Sequence, residues 1–344
     1  MNTPLSTLKN EAQPMQTTRK PLVSIFMSAY NAGAFLRESV NSILAQTFED
    51  FEFVIVNDGS TDDSAEYLDS ITDPRVIVIH QENKGLGKPQ NQHMKSCRGK
   101  YIVRMDADDI SAPTRIAKQF AVLEHDPDLI MVGCYFQFFG PSGNKSPVSK
   151  QPTSHQAILS GMLSGWHTMA HATVMFRRSL LDNIEGYLIC GAGEDWTLLL
   201  DAARFGKYAM VPESLYEVRL HSTSNAWKGA EKVAVGFEFA RRRHQAFMNT
   251  KTDLSVEQFF EDWKKVSFIK KLKIRFAAYS SVLHRQAILG RTEGQVFFPY
   301  VRLALASLLN PSKAVGAIWK RLQSSNQQEE ASLGVVRTSS NYSN

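Results

Sequence analysis

Along the first 140 positions, short apolar runs alternate with longer stretches whose apolar residues recur every third or fourth place. Residues 22–27 (Leu, Val, Ser, Ile, Phe, Met) predict a strand. Leu36, Val40, Ile43 and Leu44 fall on one face of a helix predicted over 34–46. The same reading predicts strands over 51–56, 75–80, 101–105 and 129–136, and helices over 60–70, 89–97 and 113–124. Ser60 followed by Asp63 has the form of a capping box opening the second helix, and Pro113 suits a first helical turn. Strands separated by helices imply βαβ units. The expected fold class is therefore α/β, a doubly wound, mostly parallel sheet flanked by helices. In such sheets ligands bind beyond the carboxyl ends of the strands. Polar residues gather at those ends here: Ser28, Tyr30 and Asn31; Asn57 and Asp58; Asn83, Lys84 and Gly85; Asp106, Asp108 and Asp109.

Beyond Ser146 the pattern loosens, and apolar segments resume up to about Asn225. Residues 1–20 read as a flexible arm without the apolar stretch of a signal peptide. Residues 226–322 read as a basic, helical C-terminal region, and 323–344, rich in Ser, Gln and Asn, as a disordered tail. That leaves 21–225 as the main domain. Of 344 residues 43% are apolar, which suffices for a sizeable core. The net charge of +5 is unevenly spread: residues 231–321 hold 17 Lys and Arg against 7 Asp and Glu, so the remainder is acidic. An anionic partner would therefore meet the C-terminal third. Cys97, Cys134 and Cys190 are scattered and odd in number, which indicates neither a disulfide framework nor a structural zinc site and suits a reducing cytoplasm. No apolar run reaches the roughly 18 residues of a membrane span; the nearest, 297–309, is broken by Pro299 and Arg302.

Asp106 and Asp108 close an apolar strand, and residues two apart on a strand point the same way. Paired carboxylates repel unless a cation lies between them, and hard oxygen donors select Mg²⁺ or Mn²⁺. A solvated acidic loop would read the same, but the position at a strand's carboxyl end favours the metal. Asp58 in Asn-Asp-Gly-Ser admits a base or ribose contact, or plain turn chemistry. Lys84, in a glycine-containing loop, suits a phosphate. That loop is neither a phosphate-binding P-loop nor a dinucleotide fingerprint, which argues against a dehydrogenase. Glu194 and Asp195 open a helix, either as dipole-favoured carboxylates or with a general base between them.

Seven segments in order then resemble glycosyltransferase family 2: VSIFMSAYNA (23–32), VNDGSTDDS (56–64), NKGLGKPQN (83–91), YIVRMDADD (101–109), HATVMFRR (171–178), GEDWTLLLDAARFG (193–206) and YEVRLHSTS (216–224). The resemblance implies a GT-A fold and a metal-dependent, inverting transfer of a sugar from a nucleoside-diphosphate-sugar to an acceptor hydroxyl. It implies Ser28, Tyr30, Asn31, Glu38, Asp58, Lys84, Asp106 and Ala107 on the nucleotide and donor. Asp106, Asp108 and His221 would hold Mn²⁺ or Mg²⁺, and Asp195 would be the catalytic base. Glu194, His171 and Arg219 would lie toward the acceptor or the phosphates. Ser28 stands where Pro or Thr is common in the family, and the glycine loop lacks the Arg of the usual Ala-Arg-Asn ending. The family suggests bacterial cell-envelope or extracellular polysaccharide synthesis, with a glycan or lipid-linked acceptor.

Lys264, Lys265, Lys270, Lys271, Lys273 and Arg275 interleave with Trp263, Phe268, Ile269 and Phe276. Such basic, aromatic helices suit an anionic membrane surface, reached through 231–322 on the inner face of the cell membrane, or simply a subdomain packed on the core. No nucleic-acid motif is visible. Two alternatives stand beside the transferase: a sugar-phosphate nucleotidyltransferase, against which the loop SAYNAGA after the first strand counts, and a non-catalytic nucleotide-sugar binding protein.

Overall fold

The computed structural model describes residues 19–85, 87–188, 192–221, 229–295 and 297–311. Nearly all of the expected arm, and all of the tail over 323–344, lie outside them.

Strands β1 (Val23–Ala29), β2 (Phe51–Asp58), β3 (Val76–Gln81), β4 (Tyr101–Asp106), β5 (Ile110–Ser111), β6 (Leu129–Phe139), β7 (Met175–Arg177) and β8 (Lys207–Arg219) form one eight-stranded sheet. Its order is β3-β2-β1-β4-β7-β6-β8-β5. The first four neighbours are parallel throughout. Strand β7 runs antiparallel to both β4 and β6, β6 and β8 are parallel, and β5 is antiparallel to β8. The sheet is thus mixed, with a parallel half as expected and a second half of both senses. Strand β7 is short and sits between two 3₁₀ turns, 171–173 and 178–182, with no helical crossover to force it parallel.

Alternation along the strands builds two cores. Val23, Ile25 and Met27 of β1, with Phe53 and Ile55 of β2 and Val103 of β4, face helices α1 (Ala34–Leu44) and α4 (Arg115–His125) through Leu36, Val40, Ile43, Ile116 and Leu123. Phe26, Val54, Val56 and Ile102 point the other way. They meet α3 (Lys88–Ser96), α5 (His155–Leu163) and α6 (Asp195–Ala202) through Met94, Ile158, Met162 and Leu198 to Leu200. Burial on both faces explains why Phe53 to Val56 of β2 form an unbroken apolar run.

Two expected helix starts move. Helix α2 begins at Ser64, not at Ser60, and spans Ser64–Asp69. Ser60 is engaged elsewhere: its N–H donates to Asn57 Oδ1 at 3.0 Å and its hydroxyl accepts the Asn31 N–H at 3.0 Å. Asp63 makes no side-chain cap, and Asp62 Oδ1 instead accepts the Ser64 N–H at 3.1 Å. Pro113 precedes α4, its carbonyl taking the Thr47 N–H at 2.9 Å.

The C-terminal region is helical: α7 (Ala230–Thr250), α8 (Val256–Lys265), α9 (Phe268–Thr292) and α10 (Phe298–Leu309). Helix α7 lies on α6, where His244 Nδ1 meets the Leu200 carbonyl at 2.9 Å and Arg243 pairs with Asp201 at 3.1 Å. Helix α10 runs back along α9, since Pro299 abuts Gly290 while Ser280 Oγ donates to the Ala306 carbonyl at 2.7 Å. Among the described residues no helix is long and apolar enough to cross a membrane.

Candidate functional site

The carboxyl ends of the parallel strands are level: Ser28 lies beside Asp106, and Ala29 beside Asn57. Around Asp58 the side chains are fixed by backbone groups. Asp58 Oδ1 accepts from Gln81 Nε2 at 2.6 Å and the Lys84 N–H at 3.0 Å, and Oδ2 from the Gly85 N–H at 3.1 Å. The buried carboxylate therefore holds the glycine loop against the end of β2, which a sequence reading of turn or ligand did not anticipate. Gly59, at φ 73°, allows this approach, because a Cβ there would lie 2.6 Å from the Asn83 nitrogen. Asn31, at φ 49°, accepts the Thr61 N–H on Oδ1 at 2.7 Å, and Tyr30 beside it is 53% exposed, a free aromatic face at the rim. The Lys84 side chain is exposed at the same rim.

The Asp106–Asp109 turn is held from three sides. Asp106 Oδ1 accepts from Arg104 Nη2 at 2.9 Å, and its N–H donates to Tyr216 Oη at 3.2 Å. Ala107 is buried. Arg219 donates its N–H to Asp109 Oδ1 and its Nε to the Asp108 carbonyl, both at 2.8 Å, and its outer nitrogen pairs with Glu38. The guanidinium lies between the Phe35 and Phe139 rings, 4.6 and 4.5 Å from their centres. Glu38 is therefore joined to Arg219 across α1 and β8, and Arg219 serves the acidic turn. Two residues on, His221 Nε2 lies 3.0 Å from Asp108 Oδ2.

That spacing bears on a metal. Two ligands at right angles on an octahedral ion with bonds of about 2.1 Å are separated by about 3.0 Å. Asp108 and His221 could thus supply two of the ligands of such an ion. Asp106, tied to Arg104, does not complete a three-donor cage with them, and no group of three such residues is formed among the described residues.

Arg104, which the sequence reading passed over, is buried in β4 and organises the floor of the site. It shares a strand face with Asp106, two residues on, so a charge inside the run YIVRMD was a legible sign. Its Nη1 donates to the Phe26 and Met105 carbonyls, both at 3.1 Å, and its Nε reaches His171 Nε2 at 3.4 Å. His171 Nε2 lies 2.5 Å from Tyr187 Oη, and Tyr187 is clamped by Asn91 through two backbone contacts. Burial first and the Arg104 charge second push the His171 pKa well below its ordinary value, so the ring is neutral. His171 supports the floor behind Asp106.

Asp195 opens α6. Gly193, at φ 78°, brings it in beneath Val233, and Trp196 anchors the turn between His167 and Phe237, at 4.0 and 4.7 Å between ring centres. Burial, reinforced by the neighbouring Glu194 charge, pushes the Asp195 carboxyl up to about 7. The Trp196 N–H and the Arg285 charge oppose the rise. The charges of Asp106, Glu194 and Asp195 all act on the Tyr187 hydroxyl and, together with its burial, raise its pKa. Glu194 likewise raises the pKa of Asp106, after burial and Asp108. The strand-end carboxylate and the two at the start of α6 thus share one neighbourhood.

Residues 24–185 match the family described as Glycosyl transferase family 2. Relatives include an uncharacterized glycosyltransferase of Haemophilus influenzae, 32% identical over 221 residues, 60% of this chain and 68% of the relative. The O-antigen biosynthesis glycosyltransferase WbnJ of Escherichia coli is 28% identical over 240 residues, 67% of this chain and 91% of WbnJ. Among solved structures, the mannosyltransferase PcManGT from Pyrobaculum calidifontis in complex with GDP-Man and Mn²⁺ aligns with a TM-score of 0.54. Its identity is 17%, with 88% of each chain covered, a likeness of fold.

Proposed function

The chain belongs to glycosyltransferase family 2, with the GT-A fold, and from that premise we propose that it is a metal-dependent, inverting enzyme moving a sugar from a nucleoside-diphosphate-sugar to an acceptor hydroxyl. The observation that carries the reading is Asp195, a carboxyl tuned to about 7 beside Glu194 and in electrostatic reach of the strand-end floor. A base of that strength accepts a proton near neutral pH yet still ionises there. Asp195 takes the acceptor's hydroxyl proton as its oxygen attacks the anomeric carbon. The bond from that carbon to the diphosphate oxygen breaks, its electron pair leaving with the diphosphate, and attack from the opposite face inverts the centre. Ser28, Tyr30, Asn31 and the loop held by Asp58, with Lys84, bind the nucleotide side. Arg104 keeps Asp106 in place at the floor, and Arg219 with Glu38 fixes the turn that presents Asp108. A divalent ion held by Asp108 and His221 would offset the charge of the leaving diphosphate.

Relatives named as glycosyltransferases support transfer over nucleotidyl chemistry, and one named for O-antigen biosynthesis supports cell-envelope polysaccharide as the pathway. A glycan or lipid-linked acceptor fits that setting, as does contact of 231–322 with an anionic membrane surface. The test uses a thermal-shift panel of nucleoside diphosphates and their sugars, with and without Mn²⁺, to find the donor. Asp195→Asn should then abolish transfer while donor binding stays near that of the parent. Near-normal turnover removes Asp195 from the role.

A further inference from the structure

Residues 186–188 lie between α3, the helix that follows the glycine loop, and α6, the helix that opens on Asp195, and a side chain from each helix grips their backbone. From α3, Asn91 Nδ2 donates to the Tyr187 carbonyl at 2.9 Å, and Asn91 Oδ1 accepts the Tyr187 N–H at 2.8 Å. One amide that answers both backbone groups of one residue fixes that residue in place and in orientation. Gly186, at φ 85°, makes room for it, since a Cβ there would lie 2.5 Å from Asn91 Oδ1. From α6, the Thr197 hydroxyl accepts the Leu188 N–H at 3.0 Å and lies 2.7 Å from the Glu194 carbonyl and 3.2 Å from that of Gly186.

The side chain of Glu194 does not cap α6. The Thr197 hydroxyl, on a residue 1% exposed, ties the first turn of that helix, and with it the backbone of Asp195, to 186–188. From the same segment the Tyr187 hydroxyl meets His171, which reaches Arg104 and through it Asp106. Three parts of the site thus join at 186–188: the helix behind the donor-side loop, the floor, and the helix that carries the base. A catalytic group moved by about 1 Å loses on the order of a hundred-fold in rate, so whatever fixes this junction matters to the transfer.

We propose that Asn91 and Thr197 are positioning residues for Asp195: gripping 186–188 from opposite sides, they hold the base in register with the donor side of the site. The inference rests on Asp195 as the base. Neither side chain moves a proton in the transfer; each acts through the backbone it holds.

Two measurements on the full-length chain test this. In hydrogen exchange read by mass spectrometry, Asn91→Ala should speed exchange beyond 187–188, in the first turn of α6, where the Trp196 and Thr197 N–H groups bond the Gly193 and Glu194 carbonyls. The increase there should exceed that in α4, on the other face of the sheet; an unchanged α6, or an equal rise in both helices, overturns the link. The second measurement is release of UDP or GDP from the donor that the thermal-shift panel selects. Asn91→Ala and Thr197→Val should each lower kcat about ten-fold or more, while UDP or GDP with Mn²⁺ binds within about two-fold of the parent. Thr197→Ser keeps the hydroxyl and should recover most of the rate. The double variant should lose little more than the slower single one, because both release the same segment. Nucleotide affinity falling in step with kcat, fully additive losses, or Thr197→Ser as slow as Thr197→Val each overturn the assignment. Should Asn91→Ala not fold, Thr197→Val and Thr197→Ser carry both measurements, with exchange then read at 187–188. Turnover surviving in Asp195→Asn would sink the base while leaving the exchange result as it is, so the two failures read differently.

Discussion

The Asp195 carboxyl, raised to about 7 by burial and by Glu194, links catalysis and stability with opposite signs. As a base it works only when ionised, so kcat/KM should rise with pH along a limb centred near 7; a limb centred near 4 would remove the tuning. For stability, the folded chain binds this proton between the ordinary carboxyl value and about 7 while the unfolded chain does not. The group's contribution therefore falls as pH rises through that window and is fully unfavourable above it. Asp195→Asn should raise the melting temperature at pH 8, by at most about 4 kcal/mol of stability, and the gain should vanish near pH 4. A variant melting below the parent at pH 8 would show that the carboxylate is not strained. Asp108 and His221 permit a second residue-level test that does not depend on turnover. With UDP or GDP present, Asp108→Ala or His221→Ala should weaken Mn²⁺ binding about ten-fold or more, read by calorimetry. Unchanged affinity in both would discard the 3.0 Å pair as metal ligands.

Among the elements, those with a strict apolar period were legible. Helix α1 follows its Leu36, Val40 and Ile43 stripe, and β1, β2 and β4 follow their runs. Positions where a polar side chain chose between partners were not. Ser60 has the spacing of a cap, yet Asn57 and Asn31 draw it into the turn and the helix waits for Ser64. Glu38 and Arg219 are 181 residues apart, so no local pattern could join them. Arg104 was legible as a charge in an apolar strand, but its place under Asp106 and His171 needs the fold. The Asp58 turn allows an element-level prediction. Gly59 and Gly85 both have positive φ, 73° and 70°, but only Gly59 has a neighbour where a Cβ would go. Gly85→Ala should cost about 1 kcal/mol of backbone strain, while Gly59→Ala should cost roughly 1–3 kcal/mol more and weaken nucleotide binding by releasing the loop from Asp58. Chemical denaturation and a nucleotide titration check both; equal losses would mean that the close approach to Asn83 is unimportant.

At the scale of the whole molecule, the alternation of strands and helices foretold the α/β class, and the C-terminal helices follow from a basic, apolar-rich composition. Composition alone did not say which face of those helices the core would take. Arg275 and Tyr279 of α9 bond Glu231 of α7, while α10 turns Phe298, Val301, Leu305 and Leu308 outward, with Phe298 and Leu308 at 64% and 77% exposure. These four recur at three and four residues and form one apolar stripe. At the other end of the hairpin Phe268 and Ile269 stand out beside Lys264 and Lys265, an arrangement of apolar side chains among cations suited to an anionic bilayer. Each basic residue near such a surface contributes about 1 kcal/mol and is screened by salt, whereas the apolar contribution is not. The full chain should therefore float with vesicles containing phosphatidylglycerol, less with neutral ones, and partly persist at high salt. Leu305→Glu with Leu308→Glu should lose the salt-resistant part while nucleotide affinity is kept, since neither residue belongs to the strand-end site. Flotation equal in parent and double variant would show that α10 does not meet the bilayer, leaving its stripe to residues beyond 311 or to a second protein.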